Sequence, residues 1–142
     1  MEYLNSLLLW LHLLSLAVAG ATIFGMPVIM ANMAGVAPDV RPRIGAIAAR
    51  LSMMSRGALV VLLVTGPLLV WLKYGGASGF GVWFTIKMVL VLIQIAIVVY
   101  AGINGKKAQG GDVAAMQRAP MISIVGMVTF LLIVAAAVLT FD

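Results

Sequence analysis

The run PMISIVGMVTFLLIVAAAVLTF, residues 120–141, contains no charged residue. A helix needs about 20 mostly apolar residues to cross the hydrocarbon core of a bilayer, so this run predicts a transmembrane helix. Three other runs meet or nearly meet the same requirement, at residues 4–31, 52–73 and 83–104. We therefore expect an all-α integral membrane protein, an up-and-down four-helix bundle that forms a single domain over residues 1–142.

The composition excludes a soluble globular domain. Of the 142 residues, 64% are hydrophobic and 9% are charged, whereas soluble domains are roughly half apolar and about a quarter charged. The chain has no cysteine, which excludes disulfides, thiolate metal sites and cysteine catalysis. Its first apolar run is too long for the core of a signal peptide, so we expect it to remain as a mature helix.

Three connectors separate the expected spans, at residues 32–51, 74–82 and 105–119. The second connector is short and rich in glycine. The first ends in apolar residues spaced three or four apart, which marks one helical face: Ile44, Ile47, Leu51 and Met54. Helix two is therefore expected to begin in water and to continue into the membrane.

Prolines and small residues add local expectations. Pro27 and Pro67 fall within apolar runs, where they are expected to bend a helix without ending it. Pro120 is expected to start the fourth helix, because proline is favoured in the first turn. Small residues repeat every four positions in the first run, a spacing typical of close helix contact: Ala17, Ala21 and Gly25.

The distribution of charge predicts the orientation. The formal charge is +5, and most basic residues lie in or beside the first and third connectors: Arg41, Arg43, Arg50, Arg56, Lys106, Lys107 and Arg118. The opposite side carries Glu2, Lys73 and Asp142. By the positive-inside rule we expect connectors 32–51 and 105–119 to be cytoplasmic and both termini to lie outside a bacterial-type inner membrane.

The expected partners follow from the same placement. The basic side chains would also contact anionic lipid of the bilayer. Nucleic acid is not an expected partner, because the basic residues adjoin apolar runs and do not alternate with exposed aromatics. Trp10, Trp71 and Trp83 fall toward the outer side, where an interfacial aromatic belt is expected.

Few side chains in the spans carry chemistry. No acidic residue lies within a span, so carboxylate dyads and Asp/Glu proton relays are excluded. His12, the only histidine, lies about 12 Å along the first helix from Leu4. A buried imidazole either makes a helix–helix hydrogen bond or ligates heme iron through one ring nitrogen.

Lys87 lies roughly 7–8 Å inside the third helix from the same outer side, which predicts a common layer with His12. An ionised lysine at that depth must reach the interface, pair, or face a cavity. The functional alternative is that it binds a carboxylate or stabilises negative charge on a substrate. Gln94, seven residues further on the same face, either extends a polar stripe or serves helix packing.

Methionine offers a third chemistry. Thioethers are soft ligands for Cu(I), and several of the ten methionines gather toward the inner side: Met26, Met30, Met33, Met53, Met54, Met116 and Met121. In an apolar sequence methionine also serves as a flexible filler of helix contacts, so copper binding and packing both remain open.

Gly66 and four short stretches carry a family resemblance: LHLL at 11–14, RL at 50–51, LVWL at 69–72 and WFTIKMVLVL at 83–92. In these stretches and in the order of all four spans, the chain resembles HemJ-type protoporphyrinogen oxidases and the related CopD-like membrane proteins. The resemblance implies a small four-helix protein that binds heme b. His12 would be the axial metal ligand, and Lys87 would be the catalytic or cofactor-binding lysine near carboxylates of heme or a tetrapyrrole substrate.

The sequence also departs from that family. HemJ-type sequences usually carry a histidine at the position of Thr85, so a bis-histidine heme here would require two chains or another second ligand. Three functions follow as hypotheses: a heme-binding protein, in one form an oxidase of protoporphyrinogen IX; a non-enzymatic subunit of a homo-oligomer or larger membrane complex; and copper transport or resistance.

Overall fold

The protein is helical along nearly all of its length. In the computed structural model, which describes residues 1–141, the helices are α1 (Glu2–Met33), α2 (Arg41–Tyr74), α3 (Val82–Gln109) and α4 (Val113–Phe141). All four are long and apolar enough to cross a membrane. The predicted all-α class with four membrane-length helices is confirmed, and the chain is a multi-pass membrane protein.

The chain divides into two compact units, of which the first is Met1–Gly79. This unit is a hairpin in which α1 packs on α2. The contact is made by small or hydroxylated residues, which let two helices approach closely: Ser15, Ala19, Gly20 and Thr22 on α1, and Ala58 and Thr65 with Leu69 on α2. As predicted, α2 begins well before its apolar part, with Pro42 in its first turn.

The small residues that pack α1 on α2 are not the predicted ones. Ala17 and Ala21 are exposed, whereas Ala19 and Gly20 are buried. These two alanines therefore lie outside the contact with α2, and their expected part in close helix contact stays a prediction.

The glycine-rich connector ends α2. Gly75 adopts a left-handed conformation with φ of 70°, which glycine reaches without steric cost. The N–H groups of Gly75 and Gly76 both donate to the carbonyl of Val70, the second at 3.1 Å, and so satisfy a carbonyl that has no partner within the last turn of the helix. This connector thus terminates the first hairpin as a tight turn.

The second unit begins at Phe80 and is a hairpin in which α3 packs on α4. The turn between them is short, and Asp112 ends it. The Asp112 carboxylate accepts the N–H of Ala115 at 3.2 Å, which caps the start of α4. On α3, Asn104 donates from Nδ2 to the carbonyl of Ala115 at 2.8 Å. This bond places Asn104 beside Ala115 and so sets the axial register of α3 against α4.

The predicted start of the fourth helix at Pro120 is wrong. The helix begins at Val113, two turns earlier, and Pro120 lies inside it. The physical reason is that Asp112 supplies a better cap than a proline, while the N–H missing at Pro120 is tolerated inside a long apolar helix. Pro27 and Pro67 lie within α1 and α2, as predicted.

Candidate functional site around His12

The half-buried His12 of α1 is held by a hydrogen bond across the first hairpin. Its Nδ1 lies 2.8 Å from Oγ1 of Thr65 on α2, and Thr65 is buried. The predicted alternatives for this histidine were a helix–helix hydrogen bond or a metal ligand. The helix–helix hydrogen bond is present, and it is made by Nδ1.

Thr65 determines which ring nitrogen carries the proton. Its hydroxyl donates to the carbonyl of Val61 at 2.7 Å. A hydroxyl has a single proton to donate, so Oγ1 must accept from the Nδ1–H of His12. In the neutral imidazole the lone pair is then on Nε2, the arrangement by which a metal-ligating histidine is oriented through its other nitrogen.

Gly66 provides space beside the imidazole. A Cβ built on Gly66 would lie 3.6 Å from Cε1 of His12. An alanine would therefore meet the ring in ordinary contact, whereas a longer side chain would displace it. The neighbouring residues Thr65 and Gly66 thus fix the position of His12, one by hydrogen bonding and one by leaving room.

Thr65 is not among the site residues predicted from the sequence. The available signal was a hydroxyl residue directly before Gly66-Pro67 in an otherwise apolar run. Hydroxyl residues within spans either bond their own backbone or a neighbouring helix, and here Thr65 does both. Choosing Thr65 as the partner of His12 required knowing how α1 and α2 pair.

Lys87 is placed by the second hairpin. Its Nζ lies 5.2 Å from the centre of the Phe141 ring, within the range of a cation–π contact. Phe80 stacks on Phe84 with ring centres 4.8 Å apart and meets Phe141 edge-on at 5.5 Å. The half-buried lysine thus lies beside an aromatic cluster at the end of the hairpin where α3 begins and α4 ends.

Gln94 is a packing residue of the second hairpin. It is 5% exposed, and its Nε2 would lie 3.9 Å from a Cβ built on Gly126 of α4. Among residues 1–141, its Oε1 is buried without a hydrogen-bond partner. Lys87 and Gln94 both contact α4, as their spacing of seven predicts, but Gln94 does not line an open polar path.

The metal binding predicted from other side chains has no cluster of ligands in the described residues. Within the described part of the chain there is no group of three or more His, Cys, Asp or Glu side chains that could hold a metal ion. Met53, Met54, Met116 and Met121 are exposed, and copper binding stays a prediction. His12 and Lys87 belong to different compact units, so their common layer also stays a prediction.

The first hairpin therefore supplies one oriented imidazole, and the second supplies one lysine beside aromatic rings. The charge of Asp142, used to predict orientation, lies outside the described residues. No protein-family model, curated protein or solved structure matches this chain.

Proposed function

We propose that this protein is a membrane protein that binds heme b, with His12 as an axial ligand of the iron. The observation that carries the proposal is the hydrogen bond from Nδ1 of His12 to Thr65 at 2.8 Å. Histidines that ligate metals almost always donate their other N–H to a fixed acceptor. Here that acceptor is itself fixed by its bond to the carbonyl of Val61.

The donors of the chain fit one axial position. Nε2 of the neutral His12 carries the lone pair that heme iron requires, and the sequence has no second histidine. A second imidazole would come from His12 of another copy, which makes a homo-oligomer with heme shared between chains one form of the proposal. When bound, heme b supplies one-electron redox chemistry at a potential set by its axial ligands and surroundings.

Lys87 is the second residue to which we assign a role. Its ammonium group is held beside the Phe141 ring, where it would attract the carboxylate of a heme propionate or of a tetrapyrrole substrate. The resemblance to HemJ-type proteins supports protoporphyrinogen IX as that substrate. In this enzymatic form the porphyrinogen loses electrons and protons to a quinone or respiratory carrier, and Lys87 orients it through its carboxylates.

The proposed setting is a bacterial-type inner membrane. Both termini lie outside in the proposal, and connectors 32–51 and 105–119 are cytoplasmic. The support is the excess of lysine and arginine in those two connectors and at their helix ends, which the positive-inside rule assigns to the cytoplasm.

Purified protein from heme-replete cells tests the binding proposal. The expected result is a Soret band that shifts on reduction with dithionite, with one heme per chain or per two chains in a pyridine hemochrome assay. A colourless protein would overturn it. If heme added to the colourless protein also causes no spectral change, loss of heme during purification is excluded as the cause.

The enzymatic form has a separate test with a matched control. Protoporphyrinogen oxidation would be followed by porphyrin fluorescence with a quinone as acceptor, for wild type, Lys87→Met and Lys73→Met. Lys73 also lies over an aromatic ring, that of Tyr74 at 5.4 Å, and is not assigned a role. Loss of turnover in Lys87→Met alone supports the role of Lys87, and equal turnover in all three removes it.

A second candidate function is that of a non-enzymatic subunit in a larger assembly. It is favoured by the exposed small-residue face of α1, where Ala17 and Ala21 stay outside the contact with α2. Small residues on one face allow another helix to approach closely. This candidate predicts a colourless protein whose native complex becomes smaller in Ala17→Leu and Ala21→Leu, and an unchanged native size would exclude it.

A further inference from the structure

An apolar groove runs along one face of the second hairpin. It has a volume of about 430 Å³ and is lined by residues of both helices: Ile93, Ala96, Ile97 and Tyr100 on α3, and Met121, Ile122 and Val125 on α4. Among these lining residues, Tyr100 supplies the only polar side chain. His12 belongs to the other hairpin.

The groove face leads to a basic residue on each helix. On α3 the lining positions recur every three or four residues and end at Tyr100, and two turns further the same face reaches Lys107. On α4 the position one turn before Met121 is Arg118. Both basic residues are exposed, so one end of an apolar groove is flanked by two cations.

The pairing of the helices gives the distances along the hairpin axis. Asn104 and Ala115 share one level, since they are joined by a bond of 2.8 Å. Arg118 is three residues from Ala115 toward the groove, and Lys107 is three residues from Asn104 away from it. At about 1.5 Å per residue their Cα atoms are roughly 9 Å apart along the axis, a separation that two long flexible side chains can span around one anion.

The acidic residue of this turn does not cancel the positive charge. Asp112 is the only acid among residues 105–119, against Lys106, Lys107 and Arg118. Its carboxylate accepts the N–H of Ala115 at 3.2 Å as a helix cap. The groove end therefore keeps a net positive charge.

We propose that this groove binds one anionic phospholipid, with an acyl chain against the apolar lining and the phosphate between Lys107 and Arg118. Charge complementarity selects this occupant: an apolar tail joined to a negative headgroup matches an apolar groove that ends at two cations. An uncharged membrane molecule such as a quinone would fill the groove without using them. The proposal does not depend on heme binding.

Native mass spectrometry of the full chain in detergent tests the proposal. Phosphatidylglycerol and phosphatidylcholine with identical acyl chains would be titrated against wild type, Lys107→Gln, Arg118→Gln and the double variant. Each basic residue near an anionic surface contributes about fivefold in affinity. We expect phosphatidylglycerol to bind more tightly, each single variant to lose about fivefold, and the double variant roughly 25-fold.

Control variants separate this groove from general charge effects. Lys73→Gln removes a basic residue at the end of α2 and should leave lipid binding unchanged, whereas Arg118→Lys should stay within about twofold of wild type. Ala96→Phe fills the groove and should weaken both lipids. If Ala96→Phe does not fold, the charge variants still decide the matter.

Three results would overturn the proposal. They are equal affinity for the two lipids, a double variant that retains wild-type affinity for phosphatidylglycerol, and displacement of phosphatidylglycerol by an equimolar uncharged quinone. Each would show that the two cations do not select the occupant of the groove.

Discussion

Thr65→Val tests the geometry that orients His12. Valine has nearly the shape of threonine but cannot accept the Nδ1–H of the imidazole, so the bond of 2.8 Å is lost. Removing the acceptor behind a metal-ligating histidine typically lowers metal affinity 10- to 100-fold, which is about 1.4–2.8 kcal/mol. We therefore expect heme affinity to fall 10- to 100-fold.

Two control variants isolate this effect. Thr129 of α4 is also buried and donates to the carbonyl four residues earlier, Val125, at 2.8 Å. Thr129→Val therefore removes the same kind of local bond in the other hairpin, and heme affinity should not change. Thr65→Ser keeps a hydroxyl acceptor and should retain affinity within a few-fold of wild type.

The assay is transfer of heme to an excess of apomyoglobin, followed by absorbance, together with direct heme titration at the Soret maximum. The reasoning would be refuted if Thr65→Val kept wild-type affinity, or if Thr129→Val lost as much as Thr65→Val. The second result would mean that general weakening of a hairpin releases heme.

Three further predictions concern packing and orientation. Asn104→Ala removes the bond to the carbonyl of Ala115 and should lower the free energy of unfolding by about 1 kcal/mol in a steric-trapping assay; unchanged stability would contradict it. In the same assay Gln94→Leu should leave stability equal or higher, because it removes a buried oxygen without a partner, and a clear loss would show that the amide contributes. The chain has no cysteine, so Ser78→Cys should react in intact cells with a membrane-impermeant maleimide and Gln109→Cys only after permeabilisation, and the reverse pattern would invert the proposed orientation.

Hydropathy predicted the helices well because the bilayer requires it. A span must satisfy its backbone hydrogen bonds internally and must present apolar side chains over its whole length. Both requirements act on each run separately, so they can be read without knowing how the runs pack. Pro120 shows the limit of prediction from hydropathy, because helix ends depend on local capping. The carboxylate of Asp112 caps α4, which therefore begins before the apolar run.

The candidate site was predicted in part. His12 and Lys87 could be named from sequence because polar groups in a span are costly and therefore conspicuous. Thr65 and Phe141 could not be assigned to them, because those contacts depend on the axial pairing and rotation of two helices. The same dependence explains why the spacing of Ala17, Ala21 and Gly25 could not tell which face of α1 meets α2.

His12→Gly, measured with and without added imidazole, tests whether His12 is the iron ligand. The glycine variant removes the ligand and leaves a space that free imidazole can enter. Purified His12→Gly should lack a Soret band, and imidazole should restore heme binding, with a reduced spectrum close to that of wild type. A His12→Gly protein that keeps wild-type heme content without imidazole would contradict the assignment of His12 as the iron ligand.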